Sequence, residues 1–530
     1  MATTIGIAVA IVAGACVGYD NDGRLPLIYV RGFAGSGIDK AVEDPFYGFN
    51  EGSVHVRVDG FGDPQFYQFE SPMLRLMIDE NYRLLVHGDQ RAFLQHSGDG
   101  EVDANTLWIH RFYDVSASTF SKRPTEFSIE NAAADLFDLI ELVRRKTGAP
   151  KVFLVAHSMG GLICRSVIQR HIPLLSGKAT DYIARLFTYG TPHGGIEFDV
   201  GFGLIEKLRD LTGISGADIF GPGRMYEYLT PALPGAPSED DFDAQVMPPD
   251  GFPVDEVFCL VGTNPADYQV ALGLSSKLVG ARSDGLVQVD NAYVEGANRA
   301  MVHRSHSGTF GIVNSEEGYQ NLRRFLFGDL MVRVDLVGLS LPDDPDDDVV
   351  WQLETQLSIR GLPVLMHTQT AAQYCPVQLE RTSAQDSTDA PFPLVTTFLS
   401  SKLAPRRDGQ PRAARHFLKL RLISLRVRDG VFDFLDHMEQ AEDWQDLLLV
   451  DIAPDPAGTS SAPLRCWATW NRTVTKAIRS WEPQPSDLLE DANTTAGVWR
   501  GEIQMPPEVR ELLGENARLS ITVTPRSAAG

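Results

Sequence analysis

Two kinds of hydrophobic pattern divide the chain near Asp329. Before this residue, short continuous apolar runs alternate with stretches whose apolar residues recur every three or four positions. Continuous runs are typical of strands buried on both faces of a parallel sheet, and the longer spacing is typical of amphipathic helices. The predicted strands are residues 27–30, 107–112, 152–155, 186–189 and 257–261. Their alternation with helices predicts an α/β fold with a mostly parallel sheet.

The sequence predicts fewer helices than strands in this part of the chain. Residues 128–146 form a predicted amphipathic helix that ends before Gly148, and residues 317–327 form a closing helix. The apolar face of the first helix comprises Leu136, Leu139, Ile140 and Val143. Residues 38–105 contain aromatic residues and glycines without a sustained period, which predicts irregular structure. Residues 197–252 mix short helical pieces with Pro- and Gly-rich loops, which predicts an insertion outside the sheet.

Beyond Asp329 the apolar residues alternate with period two, and turn-rich segments separate the runs. The alternating positions are Val332, Val334, Leu336, Trp351, Leu353, Leu357, Ile359, Leu418, Leu420, Leu422, Leu519, Ile521 and Val523. Many short alternating strands with few helices indicate a β-sandwich. We therefore predict an N-terminal apolar segment (1–24), an α/β domain (25–328) and a β-sandwich-like domain of unknown role (330–530).

The N-terminal segment carries mixed signals. Residues 5–17 are apolar, and Ala-Gly-Ala at 13–15 is similar to a signal-peptide cleavage site, but no Lys or Arg precedes the run. The run of about 13 residues is also short for a membrane span.

Cys164 and Cys259 stand in apolar runs and are predicted to be buried free thiols, which favours a reducing compartment. The cytoplasm is the favoured location, and secretion or membrane attachment through residues 1–24 stays open.

Composition excludes one class of partner. The chain has 530 residues and a formal net charge of −23, and binding to nucleic-acid phosphates requires clustered Lys and Arg. We therefore expect no nucleic-acid partner. The Cys and His residues do not show the spacing of metal ligands, so we expect no bound metal.

The most informative segment is residues 151–161, Lys-Val-Phe-Leu-Val-Ala-His-Ser-Met-Gly-Gly. An apolar strand ends at Ser158, small residues Ala156 and Gly160 flank it two positions away, and helical spacing follows. Small neighbours are needed because a sharp strand-to-helix turn leaves no room for larger side chains. Such a turn lifts the serine oxygen clear of the sheet and aims a helix N-terminus at it. The segment resembles the nucleophile elbow of α/β-hydrolase lipases and esterases, with alanine where the commonest pattern has glycine.

The resemblance covers about residues 25–328 and includes the Gly-Thr-Pro-His-Gly turn at 190–194. It implies an α/β-hydrolase fold in which Ser158 is the nucleophile and the acid and the base follow it in chain order. For the acid, the turn Arg-Ser-Asp-Gly-Leu-Val at 282–287 resembles the acid-bearing turn of bacterial lipases, which points to Asp284. Asp290 and Asp267 are the alternatives.

Two histidines in residues 300–308 compete for the role of base. In this fold the base lies in the loop after the last strand. His306 lies further into that loop and is favoured, whereas His303 is expected to end the strand and remains the alternative base. Of the other histidines, His157 is expected to point away from the site and His193 to be structural.

The resemblance also implies an oxyanion hole made of two backbone N–H groups. One is that of Met159, directly after the nucleophile. The other is that of Phe33, in the loop Arg-Gly-Phe-Ala-Gly at 31–35, which is similar to the His-Gly-aromatic loop of lipases but has Arg31 in place of histidine.

The insertion at 197–252 lies where lipases have a lid. Its apolar residues would contact acyl chains: Phe198, Val200, Phe202, Leu204, Ile205, Leu208 and Leu211. The alternative is a cap packed permanently over the core.

The predicted function is therefore hydrolysis of apolar or lipid-like carboxylic esters through an acyl-serine intermediate, without a cofactor. One alternative is a phospholipid, lipid-anchor or polyester hydrolase whose β-domain docks a lipid or polymer surface. The other is a non-catalytic binding protein of hydrolase fold. The oligomeric state stays open. Because residues 25–328 contain every candidate, a chain ending near Leu330 is expected to cleave small soluble esters, provided that the truncation exposes no large apolar interface.

Overall fold

A computed structural model gives the architecture of the chain. It describes residues 24–32, 55–58, 64–67, 72–85, 90–110, 128–196, 219–249, 251–266, 282–307, 311–341, 349–379, 390–404, 413–428, 437–455, 462–474, 478, 481–493 and 495–526. Residues 1–23, for which the sequence leaves cleavage or anchoring open, lie outside these ranges. None of the described helices combines the length and the apolar character that crossing a membrane requires.

An all-parallel sheet of six strands forms the centre of the first domain. Its strands are β1 (Leu27–Val30), β4 (Leu107–His110), β5 (Val152–His157), β6 (Ile183–Tyr189), β7 (Val257–Gly262) and β8 (Asn298–Val302). Their order is β4-β1-β5-β6-β7-β8, and nearly every strand residue is buried. The predicted parallel α/β fold is confirmed. The buried free thiols predicted at Cys164 and Cys259 are confirmed as well.

Helices cover both faces of this sheet. They are α1 (Pro72–Glu80), α2 (Gln90–His96), α3 (Ile129–Thr147), α4 (Met159–Ser166), α5 (Pro222–Leu229) and α6 (Glu316–Phe327). α4 continues through a π-helical turn, Val167–His171, into Ile172–Leu174. Side chains of a strand alternate between faces, so Ile28 packs with α3 and α4 whereas Leu27 packs with α1 and α6. Two apolar cores therefore sandwich the sheet.

The prediction of irregular structure for residues 38–105 was partly wrong. This region contains α1, α2 and an antiparallel hairpin of β2 (His55–Val58) and β3 (Pro64–Tyr67). The two helices have nine and seven residues, which is too few turns for a helical period to stand out. Met73 and Leu76 of α1 are nevertheless buried at the three-residue spacing that a helix face requires.

The described part of the insertion packs onto the first domain. Phe220, Met225 and Met247 are buried in the core on the α3–α4 face. Arg165 of α4 donates from Nη1 to the carbonyl of Ala244 at 2.6 Å. This half of the insertion therefore has the packing expected of a cap. The residues predicted to form a lid face lie outside the described ranges: Phe198, Val200, Phe202, Leu204, Ile205, Leu208 and Leu211.

Two antiparallel sheets follow α6. The strands are β9 (Leu330–Val337), β10 (Val349–Ile359), β11 (Leu365–Gln369), β12 (Val377–Leu379), β13 (Phe392–Leu399), β14 (Ala414–Arg428), β15 (His437–Pro454), β16 (Leu464–Trp470), β17 (Trp499–Gln504) and β18 (Arg518–Pro525), and α7 spans Pro507–Leu513. One sheet has the order β11-β10-β14-β15-β16, with β12 beside β10, and the other has the order β13-β9-β18-β17. All the apolar residues of the period-two pattern are buried, and they share one core between the sheets. The expected antiparallel β-structure is confirmed.

The C-terminal sheets also pack against the first domain. Phe398 of β13 belongs to the core beneath α6, with ring centroids 5.9 Å from Phe258 and 5.1 Å from Phe325. Arg526 stacks on Phe398 and pairs with Glu256 at 2.7 Å. A chain ending near Leu330 would expose this apolar contact. Its expected activity on small esters assumed that the truncation exposes no large apolar interface, and this packing removes that assumption. The division into 25–328 and 330–530 stays a prediction.

Candidate active site

Ser158 occupies a strained turn between β5 and α4. Its backbone has φ 54° and ψ −131°, a conformation that non-glycine residues rarely adopt. Two contacts hold the turn: the Ser158 N–H donates to the Tyr189 carbonyl at 2.9 Å, and the Thr191 hydroxyl donates to the Ser158 carbonyl at 2.8 Å. The strand and the helix on either side are anchored in the core. The packed strand and helix therefore hold Ser158 in its strained conformation, as a nucleophile elbow requires.

The small residues around Ser158 are there for close packing. A Cβ added at Gly160 would lie 2.4 Å from the Val30 carbonyl oxygen, so α4 can approach β1 only with glycine at this position. A Cβ added at Gly32 would lie 2.8 Å from the Cβ of Ser158. The loop after β1 thus touches the serine directly, at the residue before Phe33.

His306 connects Ser158 to Asp284. Its Nε2 lies 3.0 Å from the Ser158 Oγ, and its Nδ1 lies 2.8 Å from the Asp284 Oδ2. The other carboxylate oxygen, Oδ1, accepts hydrogen bonds from the N–H groups of Leu286 at 3.0 Å and Val287 at 2.8 Å. Asp284 is 1% exposed and His306 3% exposed. With Nδ1 protonated toward the carboxylate, Nε2 is free to accept the serine proton.

The alternative residues lie elsewhere. His303 follows β8 directly and is exposed, and the histidine contact to Ser158 is made by His306. Asp290 is exposed and pairs with Arg282 at 2.8 Å. Asp267 lies outside the described ranges. Of the sequence-predicted groups, the structure brings together Ser158, His306 and Asp284.

A comparison with protein families matches one part of the first domain. Residues 112–235, which include β5, Ser158 and α4, match the family model described as the alpha/beta hydrolase fold. The match and the six-stranded parallel sheet decide the fold. The first domain has the α/β-hydrolase fold. No curated protein matches the chain.

Similar solved structures include a lipase, a phospholipase and a thioesterase. The mature lipase BlEst2 of Bacillus licheniformis is 16% identical, with 58% of this chain and 93% of that chain covered and a TM-score of 0.31. Phospholipase PlaB from Legionella pneumophila is 12% identical, covering 75% of this chain and 86% of its own, with a TM-score of 0.31. The thioesterase RedJ of Streptomyces coelicolor is 15% identical, covering 59% and 94%, with a TM-score of 0.23.

One half of the expected oxyanion hole lies within the described residues. Met159 is the first residue of α4, and the first N–H groups of a helix have no partner within the helix. Its N–H is therefore available beside Ser158. Phe33 lies outside the described ranges, so its assignment stays a prediction. Within the described residues, no three His, Cys, Asp or Glu side chains are grouped as metal ligands would be.

The expectation that His157 points away from the site was wrong. Its Nε2 lies 3.0 Å from the His306 carbonyl oxygen, and the two rings have centroids 4.9 Å apart. Desolvation, and next the nearby His306, lower the pKa of His157 to about 3. A neutral His157 can donate Nε2–H to the carbonyl and brace the His306 backbone. Only its position beside Ser158 signalled this role, because its partner lies far along the chain.

The turn after β6 packs against the acid and the base. Gly190 has φ 50°, and a Cβ there would lie 2.9 Å from the Asp284 Oδ2 and 3.2 Å from the His306 Nδ1. His193 of the same turn is fully buried, and its Nε2 lies 3.1 Å from the Thr188 hydroxyl. Burial lowers the pKa of His193 well below its ordinary value. These contacts suit a structural His193 and a Gly190 that closes the back of the site.

Proposed function

We propose that this α/β-hydrolase is a serine carboxylic-ester hydrolase of the lipase or esterase type. One observation carries the proposal: the His306 ring lies between the Ser158 hydroxyl and the Asp284 carboxylate, at 3.0 Å and 2.8 Å. A serine hydroxyl becomes a useful nucleophile only when a base removes its proton and a third group orients that base. Both conditions are satisfied by these contacts.

In the proposed acylation step, the Ser158 Oγ attacks the ester carbonyl carbon while His306 Nε2 takes the hydroxyl proton. The Asp284 carboxylate orients the ring and stabilises the imidazolium. The tetrahedral oxyanion accepts hydrogen bonds from the N–H of Met159 and, as a sequence-based assignment, from that of Phe33. The intermediate then collapses, and the alcohol leaves with the proton from His306.

In the proposed deacylation step, water attacks the acyl-serine carbonyl and His306 takes its proton. Collapse of the second tetrahedral intermediate releases the carboxylic acid, and the proton returns to the Ser158 oxygen. This scheme uses side chains and backbone N–H groups alone and requires no cofactor. The preference for apolar or lipid-like acyl groups rests on the residues predicted to form the lid face.

An ester panel tests the proposal. The purified full-length protein is assayed with p-nitrophenyl esters from acetate to palmitate, beside Ser158→Ala. We expect this variant to lose about 10⁴- to 10⁶-fold in kcat, the usual cost of removing a member of such a triad. Ser176→Ala is the matched control, because Ser176 also has positive φ, 59°, but is exposed on the surface. Ester turnover that survives in Ser158→Ala would contradict the mechanism.

The same panel separates the alternatives. Rapid cleavage of short soluble esters supports the esterase assignment. Cleavage restricted to phospholipid vesicles or an insoluble polyester would support the bulk-substrate alternative, with the β-domain as the docking surface. Tight binding of esters without any turnover would support a binding protein of hydrolase fold.

A further inference from the structure

β8 is the edge strand of the parallel sheet, and β11 of the C-terminal domain lies along its outer side. On the inner side, the N–H of Thr263 donates to the Val302 carbonyl at 3.0 Å. Because the backbone groups of successive strand residues point in opposite directions, the N–H of Met301 points outward. Met301 is only 4% exposed, so this N–H needs an acceptor from the protein.

His367 of β11 supplies that acceptor. The Met301 N–H donates to its Nδ1 at 3.2 Å. The proton of the neutral ring therefore resides on Nε2, which lies 3.0 Å from the Gln369 Oε1 and 3.2 Å from the Thr355 hydroxyl. Desolvation, with a smaller contribution from Arg299, lowers the pKa of His367 to about 4, against an opposing contribution from Gln369. The ring therefore stays neutral, and Nδ1 stays an acceptor, at neutral pH.

Further contacts from α6 hold β11 and the segment between β8 and His306. Asn321 of α6 donates to the Met366 carbonyl of β11 at 2.9 Å. Arg304, between β8 and His306, donates to both carboxylate oxygens of Glu317 of α6 at 3.0 and 3.1 Å. β8 and the segment that follows it are thus held by α6 and, on the outer side, by β11.

We propose that His367 is a positioning residue that holds β8 where it delivers His306 to Ser158, a role that rests on the proposed function. His306 follows the last residue of β8 by four positions, and its Nε2 must stay within hydrogen-bond reach of the serine, now at 3.0 Å. A shift of about 1 Å in such a contact costs about 10²-fold in rate. Through this imidazole the C-terminal domain contributes to the position of the catalytic base.

The test uses full-length variants of His367. His367→Leu removes the acceptor and keeps an apolar side chain, whereas His367→Asn offers Oδ1 near the position of Nδ1. His416→Leu is the matched control, because His416 is also buried in the C-terminal domain, on β14 between β10 and β15. Three quantities are measured: kcat and KM for a short p-nitrophenyl ester, and hydrogen exchange of the Met301 amide.

We expect His367→Leu to lower kcat by about 10- to 10²-fold with little change in KM, and to speed exchange at Met301. His367→Asn should recover most of both losses, and His416→Leu should retain the wild-type kcat. If His367→Leu does not fold, His367→Gln replaces it, because the longer side chain places its oxygen near Nε2 rather than Nδ1.

Two results would overturn the inference. One is a folded His367→Leu, or His367→Gln, with wild-type kcat; the other is unchanged exchange at Met301. Failure of the proposed function is distinguishable from either, because the wild-type protein would then cleave no ester. In that case the Met301 exchange would still decide whether His367 holds the strand.

Discussion

Ser158 and His306 meet at 3.0 Å, yet the two sides of the site are held in different ways. On the serine side, one continuous strand, turn and helix from Val152 to Ser166 contains the strained backbone, and contacts from Tyr189 and Thr191 hold the turn. The histidine side is assembled from distant segments. His306 contacts Asp284, is braced by His157, and follows a strand whose outer edge is covered by His367.

Because of this difference, we expect the two sides of the site to respond differently to mutation. The position of Ser158 is fixed by backbone packing within the first domain. Only substitutions of residues that contact this turn directly should therefore displace Ser158. The histidine side depends on several segments at once, and a change far from the chemistry can reach it through β8.

His306→Ala should lower kcat as much as Ser158→Ala, by up to about 10⁶-fold, because nucleophile and base act as one unit. His303→Ala is the control, since His303 is exposed just after β8 and should keep nearly full activity. Steady-state kinetics with a short p-nitrophenyl ester measure both. An inactive, folded His303→Ala beside an active His306→Ala would reverse the assignment of the base.

Asp284→Asn should cost less than the loss of His306, about 10⁴-fold in kcat, because the amide keeps the shape of the acid but cannot stabilise the imidazolium. Asp290→Asn should cost little, since Asp290 pairs with Arg282 on the surface. The same ester assay compares the two. Equal losses in both variants would mean that the acid has been assigned wrongly.

Gly190→Ala should disturb the histidine side without touching Ser158. The new Cβ would lie 2.9 Å from the Asp284 Oδ2, so the carboxylate must move, and we expect kcat to fall about 10- to 10²-fold. Gly235→Ala is the control for backbone strain alone: Gly235 also has positive φ, 90°, but a Cβ there meets nothing within 4 Å. A Gly190→Ala variant as active as Gly235→Ala would show that Asp284 tolerates displacement.

The free energy of unfolding should fall as pH drops below about 6.5. Burial lowers the pKa of several histidines: His110 and His157 to about 3, His367 and His416 to about 4, and His193 well below its ordinary value. Between those values and the ordinary 6.5, the unfolded chain binds protons that the folded chain does not, so folding loses stability with acidification.

For His367 alone the loss amounts to about 3 kcal/mol across this window, taken from the difference between 6.5 and about 4. Urea unfolding at pH 8, 6 and 5 measures the part of this loss that falls above pH 5, and His367→Asn should show a shallower dependence on pH than the wild type. Identical slopes in the two proteins would mean that His367 is protonated equally in both states.

The serine side could be predicted from the sequence to a greater extent than the histidine side. The elbow was predictable because its signals are neighbours: the apolar strand, the small residues around Ser158 and the helical spacing all lie within one short segment. The strands of the C-terminal sheets were predictable for the same reason, since alternation is a local pattern. Asp284 and His306 could be nominated from turn type and loop position, but their contact could not be read from the sequence.

The contacts that the sequence did not predict join residues far apart. Nothing near His157 indicates that it contacts the His306 backbone, and nothing near His367 indicates that it accepts the Met301 N–H. The packing of Phe398 beneath α6, which removes the basis for an active truncated chain, is equally long-range. α1 and α2 were missed for another reason, because helices this short present too few turns to establish a period.

The most direct test of the account is covalent labelling of the native full-length protein with a fluorophosphonate probe, followed by mass spectrometry of its peptides. Such a probe reacts with a serine only when that serine is activated. The account predicts label on Ser158 in the wild type, and none after heat unfolding or in Ser158→Ala. Ester hydrolysis without label on Ser158, or label on a different serine, would contradict it.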